Sequence, residues 1–245
     1  MPTYNDYGIV LNSYDLSESD RILNIYTKEN ALVRAVVKGA RKTLSKFSGK
    51  VDQLSCCYFQ FATGKNLDTV CDCEQVNSFP LLRANLARLT SAILFLEIVS
   101  NFAHEDEHDS HEVYELLYES LKHLQISLNS NLDSINFISK FLSLHGYKPQ
   151  FDTCVHCNTE IREQTFASYP YSSILGGILC NECARMIDHK EIKSSVIDFL
   201  KKEPEMRLIA PQQGEDIRLA LDLLREHIDI RAKNKIKSFD LVFSL

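Results

Sequence analysis

Two periodicities divide the chain. Between Tyr7 and Glu74 apolar residues fall in short runs rich in β-branched and aromatic side chains: Tyr7–Tyr14, Arg21–Thr27, Ala31–Lys38, Ser55–Ala62 and Asp68–Glu74. Turn-forming stretches at 15–20, 28–30, 39–49 and 63–66 separate them. Five short strands in about 75 residues predict a small barrel of the OB type. Lys28-Glu-Asn30 predicts a tight hairpin with Asn30 in the positive-φ position. After Pro80 the period lengthens to that of helices: Leu86, Leu89, Ile93 and Leu96, then Val113, Leu116, Leu117, Leu121 and Leu124, then Ile135, Ile138 and Leu142. Gly146 and Pro149 end the third of these. Helical spacing resumes at Val196–Leu200 and at Ile217, Leu221, Leu224 and Ile228.

The expected fold is therefore α+β and multidomain. It comprises an OB-like barrel over residues 1–79, a helical domain over 80–150 and 188–245, and an inserted cysteine-bearing module over 151–187. No run reaches the roughly 18–20 continuous apolar residues of a membrane span, and the first residues lack the pattern of a secretory signal. A cytoplasmic protein with no membrane partner is expected.

Eight cysteines change the picture in one place. Cys154-x-x-Cys157 and Cys180-x-x-Cys183 are two knuckles 22 residues apart. Each two-residue gap lets one turn present two sulfurs to a single ion, so four thiolates can meet at the corners of a tetrahedron. The segments Thr165–Tyr169 and Ile174–Leu179 between them can pair as a hairpin and return the second knuckle to the first. A structural zinc ion is the expected cofactor, supplying folding energy rather than an open coordination position. His156 reads as a solvent-facing knuckle residue. Cys56, Cys57, Cys71 and Cys73 read as small core residues, with Cys71 and Cys73 on one strand face.

The net charge of −6 is unevenly spread. Residues 1–50 carry eight Lys/Arg against five Asp/Glu, and from Arg34 to Lys50 there are six basic residues and no acidic one. Arg34, Lys38, Arg41, Lys42, Lys46 and Lys50 surround a glycine-flanked loop and are candidate phosphate contacts, with the Ser45 and Ser48 hydroxyls as added donors. Phe47 either stacks on an unpaired base or tucks into the barrel. A second basic cluster, Arg231, Lys233, Lys235 and Lys237, reads equally as helix-end stabilisation. No phosphate loop, nucleophile elbow or His-Glu-x-x-His stretch occurs, and Asp68, Asp72 and Glu74 are read as solvated carboxylates rather than a nuclease centre. The acidic, histidine-rich stretch 104–111 reads as a hydrated loop. These features point to a non-catalytic nucleic-acid binder.

Several motifs in order resemble the RecO family of recombination mediators. They are Gly8-Ile-Val-Leu11, Glu18-Ser-Asp20, Ile25-Tyr-Thr27, Val37-Lys-Gly-Ala-Arg-Lys42 with Ser45-Lys46, Leu144-His-Gly-Tyr-Lys-Pro149, the two cysteine knuckles with Gly176-Gly-Ile-Leu-Cys180, and Ile236-Lys-Ser238. The resemblance implies a bacterial, nucleoid-associated protein that binds single- and double-stranded DNA and anneals complementary strands. It implies partnership with a RecR-type protein and with the C-terminal tail of single-strand-binding protein, in order to load recombinase. By motif position Lys38, Arg41, Lys42 and Lys46 would be its DNA contacts. An OB and zinc-ribbon protein that binds RNA or serves transcription is the alternative.

Overall fold

The computed structural model describes residues 2–104, 110–161, 167–203, 207 and 214–244. These fall into two compact units: Met1–Leu128 with Ile236–Leu245, and Asn129–Lys235.

The first unit is built on a closed five-stranded barrel of order β1-β2-β3-β5-β4, with β1 Thr3–Asp15, β2 Arg21–Thr27, β3 Ala31–Val37, β4 Cys56–Ala62 and β5 Asp68–Asn77. Strand β1 is long enough to serve two neighbours. It pairs with β4 from Thr3↔Ala62 to Ile9↔Cys56 and with β2 from Gly8↔Thr27 to Asp15↔Arg21. A bulge between Val10 and Asn12 lets it turn from one to the other. Gly8 lies where both pairings overlap, and a Cβ there would come within 2.5 Å of Ile25 Cγ2. Closure is completed by a short parallel contact of β3 with β5, Ala35↔Asp68 and Val36↔Thr69.

The β2–β3 hairpin departs from expectation. The positive φ falls on Ala31, at 49°, and not on Asn30. Asn30 is fixed otherwise: its side-chain amide donates to the buried Asp6 carboxylate (2.7 Å) and its backbone N–H to Thr27 Oγ1 (3.2 Å), while the Thr27 hydroxyl donates to the Ala31 carbonyl (3.1 Å). These side-chain bonds set the turn and pass the strained conformation to the next residue. The register of β5 departs too. It steps from Gln60↔Asp72 to Phe61↔Val70, which leaves Cys71 outside the ladder. Cys73 is buried and Cys71 only half-buried, so the two do not share a face.

Helix α1 (Pro80–Arg83) leads into α2 (Leu86–Phe102), whose apolar residues cover nearly its whole circumference; Leu94, Phe95, Leu96, Ile98 and Val99 are all buried. Such a helix belongs inside a core rather than on one. It packs on β1 and β2 and on α8 (Ser238–Phe243). The Glu97 carboxylate accepts from the backbone N–H groups of Lys237 (3.0 Å) and Ser238 (2.8 Å), closing the N-terminus of α8. The amphipathic α3 (Ser110–Leu124) covers the barrel between β1 and β3.

The second unit opens with α4 (Ser130–Leu144), capped by the Asn129 side chain and ended at Gly146, whose φ of 72° lets Tyr147 N–H donate to Leu142 O at 2.7 Å. A three-stranded sheet, β7-β6-β8, follows, with β6 Ser168–Ser172, β7 Gly177–Ile178 and β8 Lys190–Lys193. Helix α5 (Asn181–Ala184) lies between β7 and β8. The later helices are α6 (Ser194–Lys201) and α7 (Gly214–Asp229), and α7 packs on both α4 and α6. The pairing of β6 with β7 realises the expected hairpin three residues later on its first arm; Thr165 and Phe166 lie outside the described residues, as do the residues 105–109 of the acidic loop.

Inside this unit His227 of α7 is buried between two partners. Its Nε2 donates to the Tyr147 carbonyl (2.7 Å), so its Nδ1 accepts from the Tyr171 hydroxyl (2.7 Å). Burial, offset in part by the Tyr147 carbonyl and reinforced by the nearby Arg231 guanidinium, lowers its pKa from 6.5 to about 4. Neutral His227 therefore stabilises the fold fully above pH 6.5, and that contribution is lost as pH falls toward 4, because the unfolded chain takes up the proton first. The difference in unfolding free energy between wild type and His227→Gln should shrink across that window by up to about 3 kcal/mol in denaturant titrations. A difference constant from pH 7 to pH 4 would show that folding does not lower the His227 pKa.

Candidate nucleic-acid interface and metal centre

The segment 38–55 joins β3 to β4 across one end of the barrel. It is a succession of tight turns, with Lys42 N–H on Gly39 O (3.2 Å), Ser45 N–H on Lys42 O (3.0 Å), Ser48 N–H on Ser45 O (3.1 Å) and Lys50 N–H on Phe47 O (3.1 Å). Its apolar residues Ala40, Phe47 and Val51 enter the barrel core. Phe47 is only 5% exposed, which overturns its role as a stacking face and supports the tucked position. Burying these groups leaves the polar ones outside: Arg41, Lys42, Lys46 and Ser48 are exposed, and Ser45 and Lys50 half-buried.

The loop is braced at both ends. Gly39, at φ 69°, donates its N–H to Asp20 Oδ1 (2.8 Å), and Arg41 N–H bonds to Ser19 O (3.0 Å). The Gly39 amide first, then the Ser19 hydroxyl, hold the Asp20 carboxyl below the usual carboxylate range. The Arg41 guanidinium donates to Ser17 O (2.9 Å) and lies 3.4 Å from Asp15. Lys46 Nζ donates to Cys71 O (2.7 Å) and lies 3.3 Å from Asp72. Ser45 spends its hydroxyl oxygen within the turn, accepting from Phe47 N–H at 3.2 Å. Arg34, Lys38 and Lys42 are exposed and make no ion pair among the described residues. Arg34 stands on β3 itself, opposite Asn24 of β2. The structure thus gathers Lys38, Arg41, Lys42 and Lys46 on one braced turn. It also brings in a bracing residue, Asp20, that spacing alone did not single out; only its place in Glu18-Ser-Asp20 marked it.

The three carboxylates near β5 do not form a centre. Asp68 accepts from the Tyr4 hydroxyl (2.5 Å) and Gly64 N–H (2.9 Å), and Asp72 faces Lys46. In the C-terminal basic cluster, Arg231 serves the fold, donating to Ser173 O and His227 O and lying over the Tyr147 ring.

In the second unit the ligand atoms of Cys154, Cys157, Cys180 and Cys183 all lie within 4.8 Å of one another. The chain from Gln150 to Val155 runs beside β7: Gln150 N–H bonds to Gly176 O (3.0 Å), Ile178 N–H to Gln150 O (3.0 Å) and Val155 N–H to Ile178 O (3.0 Å). That approach requires the glycine pair. Gly176 sits at φ 86°, and a Cβ on Gly177 would fall 2.5 Å from Gln150 O. The first knuckle closes through Cys154 N–H on Thr159 O (2.9 Å) and Asn158 N–H on Cys154 O (2.9 Å), with Asn158 at φ 60°. In the second, Ala184 N–H bonds to Cys180 O (2.9 Å) and Ile187 N–H to Cys183 O (3.1 Å).

The donor set fits a metal ion. Cys157 and Cys180 sulfurs are 3.7 Å apart, close to the edge of about 3.8 Å that a tetrahedron with metal–sulfur bonds of about 2.3 Å requires. The Thr159 hydroxyl and backbone, with Cys154, lower the Cys157 pKa to about 6. Burial opposes ionisation of Cys154, but amides of Cys157, Cys180 and His156 outweigh it and lower its pKa. Burial and the three neighbouring thiols push Cys183 up. Some sulfurs are poised to ionise and another resists until a cation is shared among them. Exposed His156 lies outside the sulfur set, with Nδ1 3.5 Å from Cys183 Sγ.

Two family profiles match the chain: Recombination protein O N terminal over residues 1–79 and Recombination protein O C terminal over residues 83–239. The chain belongs to the RecO family. It is 32% identical to the DNA repair protein RecO of Desulforamulus reducens, over 99% of this chain and 94% of that protein. It is 29% identical to that of Pelotomaculum thermopropionicum, over 98% and 93% respectively. To that of Cutibacterium acnes it is 32% identical over 75% of each.

About one metal ion per chain is expected on elemental analysis of protein purified without chelator. Cys157→Ser should lower the metal content and the thermal midpoint of the second unit, by roughly 10 °C or more. Equal midpoints for the wild type with and without a strong chelator would show that the four thiols hold no structural ion.

Proposed function

We propose that this RecO-family protein is a recombination mediator that acts in DNA repair by binding and annealing strands rather than by catalysis. The observation that carries this reading is the braced turn at the end of the barrel, which holds Lys38, Arg41, Lys42 and Lys46 outward while its apolar residues anchor it from within. Cations fixed in this way neutralise phosphates of either strand without reading sequence, which is what annealing of arbitrary complements needs. Arg34, Lys50 and the Ser45 region extend the same surface. Family membership and the names of its relatives support the role in repair and recombination.

The working context is single-stranded DNA coated by single-strand-binding protein, with a RecR-type partner and the C-terminal tail of single-strand-binding protein as protein contacts and recombinase loading as the outcome. The ion of the second unit is zinc, held by Cys154, Cys157, Cys180 and Cys183, where it supplies folding energy and fixes the two knuckles. Site chemistry favours this: four thiolates in a tetrahedral set suit zinc better than harder cations. A cytoplasmic location goes with the proposed role on DNA in repair; separately, no described helix is long and apolar enough to cross a membrane.

The test is annealing of complementary oligonucleotides precoated with single-strand-binding protein. Wild type should accelerate it, and Arg41→Glu/Lys42→Glu should not. The variant's binding to single strands should also show a shallower salt dependence, by roughly 0.7 in log–log slope for each phosphate that is no longer neutralised. Unchanged annealing and slope in the variant would remove this interface, and a preference for RNA strands would favour the RNA-binding alternative.

A further inference from the structure

We infer that Leu44 is an apolar wedge that enters the base stack where single-stranded DNA meets duplex; this rests on the reading of the 38–55 turn as the nucleic-acid interface. Leu44 is 98% exposed. Every other apolar residue of the segment, Ala40, Phe47, Val51 and Leu54, is buried. The turn therefore sorts its apolar side chains, sending four inward and leaving one outside.

Single bare apolar residues are common on protein surfaces; the seat of Leu44 sets it apart. Ile126 and Leu128 are also bare, but the stretch Gln125-Ile-Ser-Leu128 carries no charge. Leu44 has exposed Arg41 and Lys42 before it and exposed Lys46 after it. Cations on both sides of a projecting apolar group match a nucleic acid, whose phosphates flank an apolar stack of bases. An uncharged protein groove would leave these three cations without counter-charges, whereas phosphates supply them on both sides.

Rigidity is the second requirement, because a wedge that yields cannot hold bases apart. The hydrogen bonds of Lys42, Ser45 and Ser48 N–H to carbonyls three residues back hold the backbone on both sides of Leu44. Phe47 anchors it three residues later, and the Lys46 ammonium is tied to Cys71 O. Apolar side chains set this way unstack base steps in proteins that bend or open duplexes. At a junction the cost is lowest, because the outer face of the last pair is covered on one strand only. Holding that step open gives an incoming complementary strand a place to begin or extend pairing.

The probe is a partial duplex carrying 2-aminopurine at the last paired position beside a single-stranded tail. Full-length wild type should raise its emission on binding. It should also prefer the junction over single strand of equal length by about tenfold, the worth of roughly one stacking contact. Leu44→Ser, a change at an exposed position, should keep single-strand affinity and its salt slope while losing the emission rise and the junction preference, and Leu44→Met should keep all of them. An emission rise in Leu44→Ser equal to wild type, or none in wild type, overturns the wedge while leaving the interface in place. Full binding by Arg41→Glu/Lys42→Glu overturns the interface, and the wedge with it.

Discussion

A barrel of five strands has two open ends, and the rest of the first unit follows from how they are closed. The link from β3 to β4 lies across one end, so it must bury apolar groups beneath it while running through solvent above. Phe47, Ala40 and Val51 meet the first demand and the lysines and arginine meet the second. Folding and charge display are thus one event. Nothing has to move to form the basic surface, because the same turns that seat Phe47 aim Lys42 and Lys46 outward. Aspartates on the neighbouring 15–20 turn take up backbone and guanidinium donors at its edge. They lend order there at a small loss of positive field.

The second unit combines an apolar helical core, where α7 packs on α4 and α6, with other means of order. Its sheet is small and two of its strands are short, so the sheet itself buries little. Polar devices make up the difference. Four sulfurs converge beside a glycine-dependent hairpin, and a neutral histidine joins α7 to Tyr171 of β6 and to the chain after α4. Each of these is sensitive to protons, and in the same sense. The histidine must stay unprotonated to fit, and the sulfurs must lose protons to share an ion.

Much of this was legible in the order of residues. The five strands declared themselves by length and side-chain type, and the long helices by their spacing, because in both cases the period of burial is the period of the element. The cysteine knuckles were legible because ligand geometry constrains spacing directly. What escaped was decided by contacts distant in sequence. Asp6, twenty-four residues away, holds Asn30 and moves the strained turn position to Ala31. A one-residue bulge opposite Gln60 and Phe61 takes Cys71 out of the face of Cys73. Strand β8, Lys190–Lys193, alternates weakly because it lies at a sheet edge and is held by its backbone pairing with β6. The basic run was visible, but its bracing by Asp20 was not, since a carboxylate that binds an amide looks in sequence like any other charge.

Glu97 receives its partners from residues 237 and 238, and α2 packs on the helix they begin. The first unit is therefore assembled from two stretches of chain with more than a hundred residues between them. On a ribosome making roughly 5–20 residues per second, the barrel emerges on the order of ten seconds before the segment that completes its helical layer. During that interval the intervening unit is synthesised while one flank of the apolar helix waits uncovered. A nascent chain of this kind has a period of vulnerability set by translation speed, and slowing the ribosome within the second unit would lengthen it while the finished protein stayed the same.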